Sequence, residues 1–580
     1  MSLINLSLLF IISFFGVNLL IATYSRKHLT YKGIQYFMIL NNFILFIFCI
    51  SLWTFFIVKY GQEYASFKLN SNNWTNINYE ISFKINSLSF LFIMLVNVIG
   101  FATNIYILNY FKYEERGEEF VLLINWFILS MIFLVIGNNF FTIIIGWELI
   151  GLTSFLLINF WKFKSTTLSC SFKAFAFNKI SDIFLMISFC LLWNTYKINN
   201  IDSLLTVISV NNTNPNVIYC SAVCLMISSG IKSAQILGHL WLPDSMEAPV
   251  PASSLIHSAT LVSAGIYLIL KFQTIFVISG LSSILFFIGS FTACYGGIIA
   301  ASQSDMKKLL AYSTISHCGF IFASISLNNF IITIIYLYLH GLFKAVTFFC
   351  AGSIIKSNGT QDTRLMGMNK NQLVNTIALI IASINLGGLP FTFGYLYKFL
   401  FLNFMIINPI NMVSFGLSIV GLICGIIYVF KIIYYSCFDF RKGFIQTIFL
   451  LLQNNFEFYK KHILSFTFAK YVAFFILYVF SIFFFFINKC YILNTYMFFF
   501  YQPNANVSDY NYLTDLLFIN NYWAVIYYSL FIVTFMTLLL MNWRTNYFFI
   551  EKLELFAYVF GITIFFYFFG NVSLRIIYLL

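Results

Sequence analysis

Long apolar runs separated by short polar stretches recur along this chain, and at least thirteen of them lie before residue 440. An α-helix needs about 20 apolar residues to cross the hydrocarbon core of a membrane. Only 9% of the 580 residues are charged, whereas soluble domains carry about 25%. The sequence therefore predicts an all-α polytopic membrane protein with about 14–16 transmembrane helices.

The apolar runs divide the chain into predicted spans and four regions. The first six spans are predicted at about 5–23, 34–59, 85–109, 119–137, 139–160 and 172–193. Span seven begins the stretch 226–267, and later spans are predicted at about 251–272, 276–300, 306–327, 329–355, 372–400, 410–435 and 467–488. Further apolar runs follow at 520–542 and 555–580. Polar loops are predicted at 61–82 and 194–215. The regions are N-terminal helices at 1–118, a first antiporter-like repeat at 119–272, a second at 276–438 and an extension at 439–580.

Two of these spans are interrupted by glycine and proline close to a lysine. Span seven carries Lys232 and then breaks at Gly238, Pro243, Pro249 and Pro251. Span twelve breaks at Gly387, Gly388 and Pro390 and then carries Lys398. The breaks occupy matching places in successive five-helix blocks, a pattern typical of inverted repeats with discontinuous helices. Because broken backbone at membrane depth must be buried in protein or line a wet cavity, we predict two inverted five-helix repeats around such a cavity.

Titratable side chains lie within the apolar spans, where they are costly and indicate function. They are Glu148 in span five, Lys179 and Asp182 in span six, Lys232 in span seven, His257 in span eight, His340 and Lys344 in span eleven, and Lys398 in span twelve. A static ion pair that fixes helix packing explains one such pair, although buried pairs are often poor stabilisers compared with apolar contacts. A series of this length favours a proton relay.

The simplest pairing joins Glu148 to Lys232, with Lys179 and Asp182 nearby. A buried carboxylate needs a proton or a cation, and residues three apart share a helix face. Lys232 would hold a proton while Glu148 is close and release it when the pair opens. A histidine can pass that proton on, because it accepts at one ring nitrogen and donates from the other near neutral pH.

The net charge of +13 is dispersed between the spans, which argues against a nucleic-acid partner. With the spans counted in order, the basic groups fall in the loops between odd and even spans, on one face. The positive-inside rule makes that face cytoplasmic or matrix and places the N-terminus on the other side. These groups are Arg26, Lys27, Lys32, Lys162, Lys164, Lys307, Lys308, Lys356, Arg364, Lys370, Arg441 and Lys442.

Eleven scattered cysteines form no C-x-x-C pair, and neither a G-x-G-x-x-G fingerprint nor a P-loop occurs. Iron–sulfur and zinc sites need tighter clusters, so we interpret the cysteines as small apolar fillers. We expect this chain to bind no cofactor or metal of its own. The 75 Phe and 36 Tyr residues are typical of an AT-rich coding genome, either mitochondrial or that of an AT-rich bacterium.

Dense motifs carry a resemblance to a known family. They are G-W-E-x-x-G-L-x-S-F-L-L-I-N-F-W at 146–161, L-P-D-x-M-x-x-P-x-P-x-S-x-L-I-H-x-A-T at 242–260, D-M-K-K-L-L-A-Y-S-T-I-S at 305–316, H-G-L-F-K-A at 340–345, Q-D-x-R-x-M-G at 361–367 and L-G-G-L-P-F at 386–391. The chain resembles the antiporter-like (Mrp-type) membrane subunits of respiratory complex I, and within them the family of NADH dehydrogenase (ubiquinone) subunit 5. The resemblance covers roughly residues 85–400.

The resemblance implies roles for the titratable residues. Glu148 and Lys232 would form a coupling pair beside Lys179 and Asp182. His257, His340 and Lys344 would form a central relay, and Lys398 would be the lysine on the exit side.

Four positions depart from the family pattern. Tyr336 stands where the family usually has a histidine one turn before His340, and His317 stands where it has a glutamine. Phe399 replaces an acid that commonly follows the lysine of span twelve, and Asn86 replaces an aspartate. These departures concern mainly the exit side of the expected relay.

The resemblance implies a proton-translocating membrane-arm subunit of NADH:ubiquinone oxidoreductase, multi-pass in the mitochondrial inner membrane. Other subunits would bind NADH, FMN, iron–sulfur clusters and ubiquinone, and quinone chemistry there would drive the protons. Its partners would be other membrane-arm subunits, especially a neighbouring antiporter-like one, and lipids such as cardiolipin. A lateral helix is expected within 515–553. A subunit of a multisubunit cation/proton antiporter, which shares this core, and a non-pumping structural subunit are the alternatives.

Overall fold

The computed structural model describes residues 15–24, 31–58, 65–70, 80–111, 114, 116–210, 214–327, 330–366, 373–389, 392–407, 412–438 and 471–481. The first half contains α1 Phe15–Tyr24, α2 Tyr31–Val58, β1 Ala65–Asn70, β2 Glu80–Ile85, α3 Ser87–Tyr110, α4 Gly117–Ile136, α5 Phe140–Ile158, α6 Ser165–Tyr196, α7 Ile201–Val210, α8 Pro215–Lys232, α9 Trp241–Asp244, α10 Val250–Ser258 and α11 Leu261–Lys271. The second half contains α12 Gln273–Ile278, α13 Ser282–Ser302, α14 Met306–Ser326, α15 Phe330–Asn358, α16 Leu373–Gly387, α17 Phe393–Ile407, α18 Met412–Ile433 and α19 Tyr471–Ser481.

Ten helices of this described part are long and apolar enough to cross a membrane, with mean hydropathy between 1.3 and 2.4. The predicted all-α membrane fold is therefore confirmed. The region boundaries and the inverted relation of the two repeats stay predictions. The predicted span at 467–488 contains α19, and the runs at 520–542 and 555–580 and the lateral helix within 515–553 lie outside the described residues.

Both predicted helix breaks are present. α8 ends at Lys232, and the chain turns through 233–240 before α9. α16 ends at Gly387, and Gly388 follows with φ of 70°, a conformation that glycine adopts at no steric cost. The span predicted at 251–272 is also interrupted, between α10 and α11, where the Thr260 hydroxyl donates to the Leu255 carbonyl at 3.0 Å. Such a side-chain bond competes with the backbone bonds of a helix.

Two segments predicted as polar loops contain regular structure. Residues 61–82 include β1, which pairs antiparallel with β2 in the register Ala65↔Ile85 to Asn70↔Glu80. Residues 194–215 include α7. Both predictions are wrong for the same reason. Polar residues indicate contact with water, and a strand or helix at a membrane surface is also polar on one side.

The hairpin and α7 are joined at one end of the helix bundle. The Nζ of Lys84 lies 2.8 Å from Asp202 Oδ2, and the amide of Asn138 donates to the same oxygen at 2.9 Å. Burial alone would raise the pKa of the Asp202 carboxyl, but the hydrogen bond and the charge of Lys84 outweigh burial and lower the pKa. The carboxylate therefore stays ionised at neutral pH, and this contact is lost only as pH falls through the lowered pKa.

The other end of the bundle carries Lys356, one of the basic residues of the odd-to-even loops. Lys356 donates to the carbonyl of Tyr110, the last residue of α3, at 2.9 Å. Lys431 donates to the carbonyl of Ala301, near the end of α13, at 2.7 Å. Since α3 begins at the hairpin and ends at Lys356, its 24 residues separate the two ends by about 36 Å.

Glycines bring α13 and α14 into close contact. A Cβ atom on Gly289 would lie 2.5 Å from the backbone nitrogen of Ala323, and one on Gly319 would lie 2.5 Å from that of Ala293. A Cβ atom on Gly296 would lie 2.7 Å from the nitrogen of Ser316. This packing fixes the α14 backbone on both sides of His317.

Candidate functional site

Four titratable side chains from α5, α6 and α8 form what we call the ion-pair cluster: Glu148, Lys179, Asp182 and Lys232. Lys179 forms an ion pair with Glu148, and its Nζ lies 3.4 Å from Asp182 Oδ2. The Nζ of Lys232 lies 3.8 Å from Asp182 Oδ1. The charges thus alternate from a half-buried Glu148 to a completely buried Lys232, with Asp182 between the two lysines.

The predicted direct pairing of Glu148 with Lys232 is replaced by this series of contacts. The ion-pair partner of Glu148 is Lys179, and Glu148 acts on Lys232 only as a more distant charge. Lys232 instead contacts Trp147, donating to its carbonyl at 2.6 Å with Nζ 4.2 Å from the ring centroid. Consecutive helical residues point about 100° apart around the axis, so a lysine that lies against Trp147 is turned away from Glu148.

Five further groups form what we call the histidine cluster: His257, His317, His340, Lys344 and Lys398. His257 on α10 is completely buried. Its Nε2 lies 3.2 Å from the Ser245 hydroxyl and its Nδ1 lies 3.4 Å from that of Thr314, while its ring stacks on Phe348. Hydroxyls on both nitrogens allow either tautomer of this histidine.

α15 contributes His340 and Lys344, which are four residues apart and share a face. Lys344 donates to the Leu310 carbonyl at 3.1 Å and to the Ser313 hydroxyl. The Nε2 of His340 is buried and has no hydrogen-bond partner among the described residues. Lys344 and His257 are both electrostatic neighbours of His340, so the structure brings together the three residues that the resemblance assigns to a central relay.

His317 on α14 is a relay candidate that the sequence analysis did not select. Its Nδ1 lies 3.0 Å from the Tyr336 hydroxyl and its Nε2 lies 2.9 Å from the Tyr428 hydroxyl. The His317 and His340 ring centroids are 5.1 Å apart. The signal was available, since His317 is a titratable residue within an apolar span, the same criterion that selected His257 and His340.

Lys398 lies in the second half of the broken span. It is buried and donates to the carbonyl of Gly387, at the end of α16, at 2.8 Å. The C-terminus of a helix is the negative end of its dipole, so α16 provides the partner that an acid at the Phe399 position would provide. Phe399 itself stacks on Tyr395. Asn86 precedes α3, and its backbone N–H donates to the Ser89 hydroxyl at 2.6 Å.

The two clusters are separate in the described structure. Among the described residues, the ionisable neighbours of Lys232 are Asp182, Glu148 and Lys179, with no member of the histidine cluster. No hydrogen bond between described residues joins Lys232 to His257. A proton that moved from one cluster to the other would therefore need water between them.

Metal chemistry has no evident site in the part of the chain that the structure covers. No group of three or more His, Cys, Asp or Glu side chains there could hold a metal ion. The chemistry that the two clusters can perform is the binding and transfer of protons.

Known proteins resemble this chain in sequence. A profile of the family described as "NADH:quinone oxidoreductase/Mrp antiporter, TM" matches residues 137–425, a range that holds both clusters. The chain is similar to NADH-ubiquinone oxidoreductase chain 5 of Paramecium tetraurelia, with 38% identity over 75% of this chain and 78% of the relative. It is also similar to the protein of that name from Wickerhamomyces canadensis, with 34% identity over 72% of this chain and 66% of the relative.

A solved structure shows the same fold at low sequence identity. It is a chain of the archaeal membrane-bound sulfane sulfur reductase, a respiratory membrane complex. The match has a TM-score of 0.67 and 17% identity, and it covers 82% of this chain and 98% of that one. The architecture around both clusters is therefore an established membrane fold.

Proposed function

We propose, from the premise that this chain belongs to the NADH-ubiquinone oxidoreductase chain 5 family, that protons cross it through the ion-pair cluster and the histidine cluster. The chain is a multi-pass protein of the mitochondrial inner membrane and a proton-translocating membrane-arm subunit of complex I. The names of its relatives favour complex I over the multisubunit cation/proton antiporter. The path of the protons is the proposal.

The observation that carries the proposal is that three buried lysines donate to backbone carbonyls. Lys232, Lys344 and Lys398 bind the carbonyl oxygens of Trp147, Leu310 and Gly387. An amine donates to a carbonyl whether it is charged or neutral, so each lysine can release a proton without leaving its acceptor unpaired. A lysine bound only to a carboxylate would leave a buried, uncompensated charge, which is costly.

The ion-pair cluster provides a way to control Lys232. Lys179 contacts both Glu148 and Asp182. When Lys179 shifts towards Glu148, Asp182 is left to stabilise the proton on Lys232. When Lys179 shifts towards Asp182, the Asp182 carboxylate is shared between Lys179 and Lys232. It then stabilises the charged form of Lys232 less, and Lys232 releases its proton. Two unit charges 4 Å apart interact by about 4 kcal/mol at an effective dielectric constant of about 20, which is enough to reverse a proton transfer.

The histidine cluster would carry the proton across the centre of the membrane. His257 can accept a proton at one ring nitrogen and donate one from the other, because both nitrogens face hydroxyls. The Nε2 of His340, which no described residue binds, can take a water molecule. Lys344 and Lys398 then hold protons on either side of the third histidine, His317.

The exposed side of α5 and α6 favours an adjacent subunit as partner. The Lys179 side chain is 42% exposed and that of Glu148 is 31% exposed, at a depth where a charge facing lipid is costly. Another membrane-arm subunit therefore covers this surface, and we propose the neighbouring antiporter-like subunit. Movement of Lys179 in response to that neighbour would connect the two proteins.

The remaining expectations concern molecules outside this chain. We propose that NADH, FMN, iron–sulfur clusters and ubiquinone are bound by other subunits and that quinone chemistry drives the protons. Anionic lipids such as cardiolipin would bind beside the basic residues of the matrix face, because basic groups at a membrane surface attract anionic headgroups.

The test replaces Lys232 with alanine in the assembled complex. We expect Lys232→Ala to lower the proton-to-electron ratio and the coupled NADH oxidation rate, because the proton site next to Asp182 is lost. Lys173→Ala is the matched control, since Lys173 on α6 forms an exposed ion pair with Asp244 at 2.6 Å. The measurement is proton uptake per NADH oxidised in sealed vesicles.

The same measurement tests the alternative that this chain is a non-pumping structural subunit. A static scaffold predicts that Lys232→Ala changes complex abundance and leaves the proton-to-electron ratio of the assembled fraction unaltered. If that ratio equals the ratio of the Lys173→Ala control, protons do not pass through Lys232 and the proposal fails.

A further inference from the structure

We propose that His317 is a proton carrier in this chain, and that it works with Tyr336 and Tyr428 in the place of a histidine at position 336. The proposal rests on the proposed function and adds a residue to it. It concerns the step between His340 and Lys398, where the sequence departs from the family pattern.

The geometry places His317 in a continuous hydrogen-bonded series. Tyr336 binds Nδ1 and Tyr428 binds Nε2, at 3.0 and 2.9 Å. The Tyr428 hydroxyl lies 3.4 Å from the Ser316 hydroxyl. The ring of His317 and the rings of both tyrosines are almost completely inaccessible. Three helices, α14, α15 and α18, thus direct one imidazole and two hydroxyls at each other.

The series connects to the other members of the histidine cluster at both ends. Tyr336, His340 and Lys344 repeat every four residues and so follow one face of α15. At the other end, a Cβ atom built on Gly425 would lie 3.6 Å from the Nζ of Lys398 and 3.9 Å from the Tyr428 hydroxyl. Lys398 and His340 are both electrostatic neighbours of His317. The missing side chain at Gly425 leaves the space between Lys398 and Tyr428 open.

The proton balance of the step is simple. A proton that arrives through the Tyr336 hydroxyl binds Nδ1 of the neutral ring, and the resulting imidazolium releases the proton on Nε2 to Tyr428. Each hydroxyl accepts one proton and donates another, so neither tyrosine changes its charge. One proton has moved towards Lys398, and the ring is left as the other tautomer, which a turn of the ring restores.

A purely structural role for His317 is the competing explanation. An imidazole that only links two tyrosines would fix α14 against α15 and α18. Glutamine separates the two roles, because its amide can donate to one hydroxyl and accept from the other but cannot carry a proton. A structural role therefore survives His317→Gln, and a carrier role does not.

The experiment compares three variants in the assembled complex. We expect His317→Gln to lower coupled proton uptake at least about tenfold, since a positioned acid–base group typically contributes about 100-fold or more. We expect the double variant His317→Gln with Tyr336→His to recover most of the loss, because it returns an imidazole to the α15 face one turn before His340. His239→Gln is the control, since His239 contacts one tyrosine, Tyr295, at 3.2 Å outside both clusters.

The outcomes separate this inference from the proposed function. If His317→Gln assembles and translocates protons as the His239→Gln control does, His317 carries no proton. If Lys344→Met also leaves proton uptake unchanged, the proposed function fails as well. If Lys344→Met lowers proton uptake and His317→Gln does not, only the role of His317 is overturned. Should His317→Gln not assemble, Tyr428→Phe removes a single hydroxyl from the series. Unchanged proton uptake in assembled Tyr428→Phe also overturns the inference.

Discussion

Many lysines in the described part of this protein donate to the backbone rather than to a carboxylate. Seven of the lysines that the structure describes donate to carbonyl oxygens: Lys232, Lys271, Lys307, Lys344, Lys356, Lys398 and Lys431. A carbonyl oxygen compensates part of the free-energy cost of burying a charged amine. It also accepts a hydrogen bond from the neutral amine, so the lysine need not stay charged. Lys271 and Lys356, near the two ends of the bundle, are held in this way, whereas Lys84 and Lys308 there bind carboxylates. The lysines inside the bundle stay able to exchange a proton.

Asp182 is the residue that distinguishes the ion-pair cluster from an isolated pair. We expect Asp182→Asn to remove the link between Lys179 and Lys232 and to lower coupled proton uptake. Removing one partner of a buried ion pair also costs about 3–5 kcal/mol of stability, so thermal unfolding of the complex is measured in parallel. Asp305→Asn is the control, since Asp305 lies 3.6 Å from Lys308 in an exposed pair.

Proton uptake in Asp182→Asn is compared with that of the control per assembled complex. Equal uptake would mean that Lys232 responds to Glu148 directly, as the sequence alone predicts. The two arrangements could not be separated from sequence. Spacing places Lys179 and Asp182 on one face of α6, but whether Trp147 or Glu148 faces Lys232 depends on the rotation of α5.

At the scale of whole elements, runs of about 20 apolar residues were sufficient to place most spans, and glycine or proline next to Lys232 and Lys398 placed two breaks. The interruption at Thr260 was not predictable in this way, because it involves a threonine hydroxyl that donates to the Leu255 carbonyl. The strand Glu80–Ile85 did carry a signal, since polar and apolar residues alternate along E-I-S-F-K-I, as expected for a strand.

The contact between α13 and α14 leads to a prediction about Gly319. A methyl group there would meet backbone atoms of Ala293 and Gly289 at 2.5 and 2.7 Å. We expect Gly319→Ala to cost about 1–3 kcal/mol, as for other overpacked sites, and to lower the thermal unfolding temperature of the complex. The strain would be next to His317, so proton uptake should fall as well.

Gly16→Ala on α1 provides the matched control, because a methyl group there meets nothing within 4 Å. In a helix that change is favourable by about 0.5–1 kcal/mol. If both variants unfold at the same temperature, α13 and α14 are not in close contact, and the position of His317 is not fixed by glycine packing.

Considered as a whole, the molecule has two chemically different ends. The hairpin, α7 and Asn138 form one end, while the basic loops around Lys308, Lys356 and Arg364 form the other. Sequence alone predicted this division, because the charge bias between loops is a property of composition. It did not predict the hairpin that covers the less basic end.

The orientation of these ends can be measured by labelling. We expect Ser203→Cys, on an exposed position of α7, to react with a membrane-impermeant maleimide added to mitochondria whose outer membrane has been removed. Lys308→Cys, at a side chain that is 50% exposed, should react only after the inner membrane is opened. The chain without either substitution corrects for its native cysteines. The opposite pattern of labelling would show that the chain has the reverse orientation in the membrane.

The acceptors of the relay lysines have an evolutionary consequence. A main-chain oxygen is present whichever amino acid the codon specifies, so replacement of Leu310 by another helix-forming residue leaves the partner of Lys344 in place. These lysines can thus keep their hydrogen-bond acceptors while the surrounding residues are substituted during evolution. Surveys of co-varying positions should accordingly find no compensating acid beside Lys344, even where that lysine is invariant.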